Sequence, residues 1–380
     1  MIYSIFSKKD STLHEGAASK INLDTEYMNT GLDEVLTIEK IVSSSKTANT
    51  YNSRALVHFD IDWTKINNGS ASSAVSNSVY LNLSTISSEN IAYSYSLAAH
   101  PISESWSMGL GRYGNKPKVL DGVSWINKTG DGTVGSPWRT GSFTSQGTGS
   151  NGYTNNGGGT WYTSSFGTSS FVYESGDLRM DVTNIALDWS SSIFPNNGFI
   201  LKRSGSQESN ATDYGSIKFF SENTHTIYPP RLEVCWDDKV WGTGTLSALD
   251  MSDTGAVFFY LKNNRGSYKR GGKIKFYTLG REKYPVKTYG STAAELGIKY
   301  VAESKMCYSV IDCKTDETII PYDDTYTALS CHSTKGNFFE IYSDSLFEER
   351  HYKIQLRYRP TTTSIDYSYY DIKDTFKVVR

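Results

Sequence analysis

Methionine is scarce in this chain, six in 380 residues, and leucine-rich helical bulk gives way to 27 tyrosines, 16 phenylalanines and 32 glycines. Aromatic side chains suit pleated, half-buried surfaces better than helices, so the shortage argues for strands. An excess of charge of one sign is also missing. Thirty-eight Lys and Arg face 40 Asp and Glu, for a net charge of −2 and no long single-sign block. No direct nucleic-acid recognition is therefore expected, and the most basic stretch, 262–275, reads as a solvated strand pair with a turn. No stretch approaches the roughly 20 apolar residues that a bilayer-spanning helix requires, which predicts no membrane segment. The short apolar opening (Met1, Ile2, Tyr3, Ser4, Ile5, Phe6) precedes Lys8 and Lys9. That order reverses an export signal and predicts a protein made in a cytoplasm.

Cysteine is absent from the first 234 residues, and Cys235, Cys307, Cys313 and Cys331 follow no metal-binding spacing. Four sparse cysteines read as buried thiols rather than a disulfide framework. Catalytic signatures are lacking too. The six histidines (14, 58, 100, 225, 332 and 351) never stand at i, i+4 on a helical pattern, and no G-x-S-x-G elbow occurs. Gly109, Gly111 and Gly114 formally spell G-x-G-x-x-G, but no helix follows to present its N-terminus to a phosphate. Glu104, Asp121, Glu174 and Asp177 lie near Trp-rich segments, where solvated acids are the better reading of them than a glycosidase pair.

What remains is alternation. Ala55, Val57, Phe59 and Ile61 fall on one face of a strand, as do Val79, Leu81 and Leu83 of the next, and 36–42 and 92–98 repeat the period of two. Further strands are expected at 177–182, 198–202, 217–221 and 231–236, the last entered through Pro229 and Pro230. The piece 184–189 is compatible with a short helix capped by Thr183. Beyond residue 240, strands at 255–261, 273–278, 306–311, 338–342, 352–359 and 376–379 fit an immunoglobulin-like sandwich. Only 293–302 is compatible with a helix there. A chain of 380 residues suggests two cores, here 1–240 and 241–380.

Residues 101–170 differ in texture. Trp106, Trp125, Trp138 and Trp161 stand in a background of Gly, Ser, Thr and Asn, and no aliphatic side chain occurs from 141 to 160. Such a segment cannot bury its own core and reads as a long surface excursion. Its tryptophans either anchor it to the sandwich or present a stacking platform to sugar rings or a partner.

The order of several short features in residues 10–237 resembles the DNRLRE family of jelly-roll modules, which are akin to carbohydrate-binding domains. The features are Asn29-Thr30-Gly31 before the first long strand, Arg54-Ala55-Leu56-Val57-His58-Phe59-Asp60, and Ser105-Trp106 after Glu104. They continue with Asp181-Val182-Thr183, Asn197-Gly198-Phe199-Ile200-Leu201, Phe219-Phe220-Ser221-Glu222 and Pro230-Arg231-Leu232. The resemblance implies a jelly-roll-like β-sandwich for these residues, and with the strand spacing beyond 240 the expected fold is all-β: a jelly-roll-like β-sandwich followed by a smaller immunoglobulin-like β-sandwich. It also implies that a structural calcium ion is the one cofactor to look for, with oxygen donors at Asn127, Asp131, Asp177 and Asp181 as its candidate ligands. A sandwich of this kind followed by a second β domain resembles neck, ring and tail proteins of short-tailed, crAss-like Bacteroidetes phages. That likeness implies a non-enzymatic virion protein in a homo-oligomeric ring, partnered by other portal and tail proteins and assembled in the host cytoplasm. The alternative is a carbohydrate-binding module that recognises a surface glycan, and the two merge if a virion protein touches host glycan.

Overall fold

The protein was described from a computed structural model, which covers residues 1–15, 25–42, 50–66, 77–130, 135–139, 146–148, 157–173, 176–285, 289–290, 296–361 and 363–380. The fold is all-β. Two compact units are present, one of Ile5–Val234 and one of Met1–Ser4 with Cys235–Arg380. The division thus falls at Cys235 rather than 240, and the first four residues group with the C-terminal unit. Hydrogen bonding explains the second point. The Met1 ammonium donates to the Trp236 carbonyl (2.5 Å) and to Asp238 (2.7 Å), and the Trp236 N–H donates back to the Met1 carbonyl (3.0 Å).

The N-terminal unit is a two-sheet sandwich. Its larger, eight-stranded sheet runs in the order Gly167–Val172, Ser94–Pro101, Phe199–Arg203, Thr50–His58, Val35–Val42, Gly215–Phe220 and Thr85–Glu89, with Lys9–His14 also paired to Thr50–His58. The smaller sheet includes Arg231–Cys235, Ser78–Leu83 and Leu178–Asp181, in that order. Neighbours far apart in sequence lie side by side, as jelly-roll windings require. The helix Thr183–Ser190 packs Trp189 against Phe199, ring centroids 4.7 Å apart. Thr183 does not cap it. Val182 holds the cap position without a side-chain bond, and the Thr183 hydroxyl instead accepts the Val79 N–H (2.9 Å).

Alternation predicts one buried face for Thr50–His58, yet both faces are buried. Ala55 and Val57 oppose Leu201 and Phe199, while Leu56, on the other face, opposes Ile200. The second face is covered by the Trp-rich excursion, so the strand is sandwiched between two apolar layers.

The C-terminal unit stacks two further sheets. One contains Val257–Lys262, Lys273–Glu282, Gly336–Tyr342, Ser330–His332, Lys299–Tyr300 and Ser247–Ala248; the other orders Ser267–Lys269, Ser368–Val379, His351–Tyr358, Met306–Asp312 and Thr318–Ile320. Rings from both sheets fill the space between them. Tyr308 stacks on Phe339 at 4.2 Å, and Phe276 meets Phe376 at 5.1 Å. None of the four cysteines is in a disulfide; Cys235, Cys307 and Cys331 are buried, and Cys313 is half-buried. In the stretch 293–302 the described residues hold the strand Lys299–Tyr300 rather than a helix, and residues 293–295 lie outside them.

Candidate functional site

The four tryptophans converge. Trp106, Trp125, Trp138 and Trp161 join Leu13, Leu56, Ile102, Val123 and Ile200 in one apolar cluster against the outer face of the large sheet. None keeps more than 6% of its surface exposed. A stacking platform needs an open ring face, so these residues do not form one; they anchor the excursion. Burying so much aromatic area is how a Gly- and Ser-rich segment offsets its ordering entropy.

Polar groups complete the attachment. The Asn29 side-chain amide donates to the Met108 and Val123 carbonyls, both at 2.7 Å, and its carbonyl accepts the N–H groups of Gly31 and Gly111. Gly109, at φ +80°, lies so close to Asn29 that a β-carbon there would sit 2.5 Å from its Oδ1. Gly109 and Gly111 of the G-x-G-x-x-G spacing therefore serve close packing on Asn29, whereas a β-carbon at Gly114 would meet nothing within 4 Å. Glu104 accepts from Lys128 (2.6 Å), the Arg139 N–H (3.0 Å) and Thr160 (2.8 Å), which ties three parts of the excursion to one carboxylate. These bonds hold its carboxyl below the ordinary range despite the opposing effect of burial.

Beside the tryptophans lies a buried ion network. Arg54 donates to both oxygens of Glu208 (2.8 and 3.1 Å) and to the Gly158 carbonyl (2.5 Å), and Lys202 reaches Glu208 at 2.8 Å. The Arg54 guanidinium also lies over the Trp125 ring, 4.7 Å from its centroid. Burial alone would raise the Glu208 carboxyl, but the two cations outweigh it and hold it low.

The calcium candidates do not assemble. Asp177 accepts the Thr85 N–H (2.7 Å) before Leu178–Asp181 begins, and Asp181 accepts the Thr183 N–H (2.9 Å) at that strand's far end. Asn127 pairs with Pro137 in a separate hairpin, and Asp131 lies outside the described residues. Among the described residues no three His, Cys, Asp or Glu side chains gather as a metal site. Of the acids near the tryptophans, Asp121 accepts the Leu110 N–H, and Glu174 is outside the described residues.

Two features present themselves to ligands. The first is a cleft of about 520 Å³ walled by His14, Glu15, Asp33, Glu34, Glu39, Tyr51, Asn52, Arg112 and Tyr113. Glu15 is locked by Asn52, whose N–H and side-chain amide both donate to its Oε2 (3.0 and 2.7 Å). Oδ1 of Asn52 accepts no hydrogen bond among the described residues. Asp33 receives the Tyr113 N–H on both oxygens at 3.0 Å, and burial nonetheless raises its carboxyl. The His14 ring packs on Tyr113 with centroids 5.1 Å apart, and burial lowers its pKa to about 4. The cleft is rich in acceptors, as a polyhydroxylated or amino-bearing ligand requires. The sequence reading missed these residues because they come from separate loops and strand ends, with no shared spacing.

The second feature is the edge of the large sheet. Gly167–Val172 is the terminal strand and has no strand partner on its outer side among the described residues. Exposed apolar groups flank it: Phe166 at one end, and Val172 and Tyr173 at the other, with Tyr173 packed edge-on against exposed Tyr93 at 3.8 Å.

No family model and no curated protein matches this chain. Among solved structures it is similar to an FMN-binding β-glucuronidase from Facaelibacterium prausnitzii L2-6, at 10% identity and a TM-score of 0.15. The match covers 91% of this chain and 39% of that one.

Proposed function

We propose that this chain is a non-enzymatic virion protein of a phage neck or tail, assembling by protein–protein contact into a homo-oligomeric ring with portal and tail partners. The observation that carries the contact role is the edge strand Gly167–Val172, which pairs with no strand on its outer side among the described residues and is flanked by exposed Phe166, Val172, Tyr173 and Tyr93. A sheet edge without a strand partner and with apolar flanks is a ready template for another chain. The phage setting rests on the sequence resemblance. Light scattering on the purified chain and mass spectrometry of virions test this reading together. It expects a closed oligomer that Tyr93→Ser with Tyr173→Ser weakens, and a chain that is strictly monomeric and missing from virions ends it.

A second reading is favoured by the cleft. Its acceptor-rich wall (Glu15, Asp33, Glu39, Asn52) beside Tyr51 and Tyr113 suits a sugar. Glycan-array binding that is saturable and is lost in Glu39→Gln and Arg112→Ala supports it; binding unchanged in both variants removes the cleft as the site.

A further inference from the structure

The stretch 262–275 reads in sequence as a solvated strand pair with a turn, and the fold adds neighbours to it. On one face of the C-terminal unit, Lys273 and Lys275 share strand Lys273–Glu282 with Tyr277 and Arg281, in register with Lys262 and Phe258 on one side and Phe338, Glu340 and Tyr342 on the other. Cations lie over the rings: Arg281 over Phe258 (5.5 Å), Lys275 over Phe338 (3.7 Å), Lys335 over Tyr277 (5.4 Å) and Lys273 over Tyr342 (5.6 Å). These strands contribute one carboxylate to the face, Glu340, which pairs with both Lys273 and Lys275.

At the end of this face a groove of about 570 Å³ is walled by Asn263, Asn264, Arg265, Tyr268, Lys273 and Lys275. The wall is built. The Tyr268 hydroxyl accepts the Arg265 N–H (2.9 Å) and donates to the Asn263 carbonyl (3.2 Å), and Asn264 accepts the Gly266 N–H (3.0 Å). Among the described residues Lys262, Arg265 and Lys335 make no ion pair with a carboxylate. In a chain whose net charge is −2, this concentration of unneutralised cations sets up a local positive field.

We infer that this face binds a linear acidic polysaccharide, carrying carboxylates or sulfates, along strand Lys273–Glu282 from the groove toward Arg281. The span between Lys273 and Arg281 is about 26 Å at a strand's rise per residue, which suits a polymer with spaced charges better than one compact anion. Single-stranded nucleic acid is disfavoured because its bases need open rings. Tyr277, Phe338 and Tyr342 are buried beneath their cations, and Phe258, at 37% exposure, is the open ring among the four that carry cations.

The test uses the full chain with polygalacturonate, neutral dextran and an oligothymidylate, each at low and high salt. Polygalacturonate is expected to bind at low salt and to be released at high salt, dextran not to bind, and oligothymidylate to bind more weakly. Lys262→Gln, Arg265→Gln and Lys335→Gln together should weaken polygalacturonate binding about tenfold or more. The same charge removed at exposed Lys8, Lys314 and Lys373 should change it by less than about threefold. No binding at low salt, equal losses in the two triple variants, or tighter binding of oligothymidylate overturns the inference.

Discussion

At the scale of single residues, the N-terminal unit depends on buried polar groups whose partners are far away in sequence. Asn29 satisfies four backbone groups of two chain segments. Asn29→Ala strips all four at once, and buried groups left unmade cost about 1–3 kcal/mol each, with partial relaxation reducing the sum. The variant should lose roughly 3–5 kcal/mol in urea unfolding, and a loss below about 1 kcal/mol would show that Asn29 is not the anchor described. Arg54 makes a sharper case. Arg54→Met keeps the packing on Trp125 but leaves Glu208 with Lys202 as its remaining cation. Breaking a buried pair from one side costs about 3–5 kcal/mol. Arg54→Met with Glu208→Met should recover part of that loss, which a double-mutant cycle measures. Neither role was legible beforehand. Arg54 stands in an alternating strand, where a polar residue out of phase with Ala55, Val57 and Phe59 reads as solvent-facing, and nothing local in the sequence points to Glu208.

At the scale of elements, alternation located strands whose apolar side chains face one way, such as Ser78–Leu83 and Val35–Val42, to within a residue or two. It missed Lys9–His14, because that strand buries Asp10, Ser11 and Thr12 beside a single aliphatic side chain, Leu13. Their polar groups bond across the fold: Thr30 bonds Ser11 and Thr12, and Asp10 accepts the Glu222 N–H on Oδ2, while its Oδ1 accepts no hydrogen bond among the described residues. A period carried by hydrogen bonds leaves no hydropathy signal. Gly167–Val172 was invisible for a related reason, since four of its six residues are Gly, Ser or Thr. The tryptophan excursion was legible as an insertion but not as a third layer. Trp138→Ala tests that layer. A buried Trp truncated to Ala costs about 3–5 kcal/mol. Limited proteolysis should then cut within 101–173 before cutting elsewhere, and an unchanged cleavage pattern would contradict the layered arrangement.

At the scale of the whole molecule, acid sensitivity follows from imidazoles kept from charging. Burial lowers His14 to about 4, and burial with the neighbouring Lys202 lowers His100 to about 4. An unfolded histidine titrates near 6.5, so as pH falls below that value the unfolded chain takes up protons that the folded chain refuses. Their contribution to stability is complete above pH ~6.5 and declines as pH falls toward 4. Asp10 acts in the opposite sense, since burial raises its carboxyl and protonation on acidification relieves the folded state. His14→Gln with His100→Gln isolates the histidine effect. The melting temperature of the parent should fall more steeply between pH 7 and 5 than that of the variant, and parallel curves would refute the assignment. The fold class was readable from aromatic-rich alternation, whereas the cleft was not, because its walls meet only once the sheets have closed.

The roof of tryptophans over Arg54, Lys202 and Glu208 changes what an insertion usually means. Surface excursions are ordinarily where relatives differ in length and where engineers graft new sequence. Here the covering segment seals charges that water would otherwise reach, and it carries four of the unit's large indoles in its own sequence. Shortening it would hydrate an ion triad and strip the lid from a central strand, so this stretch should tolerate trimming no better than an interior strand does.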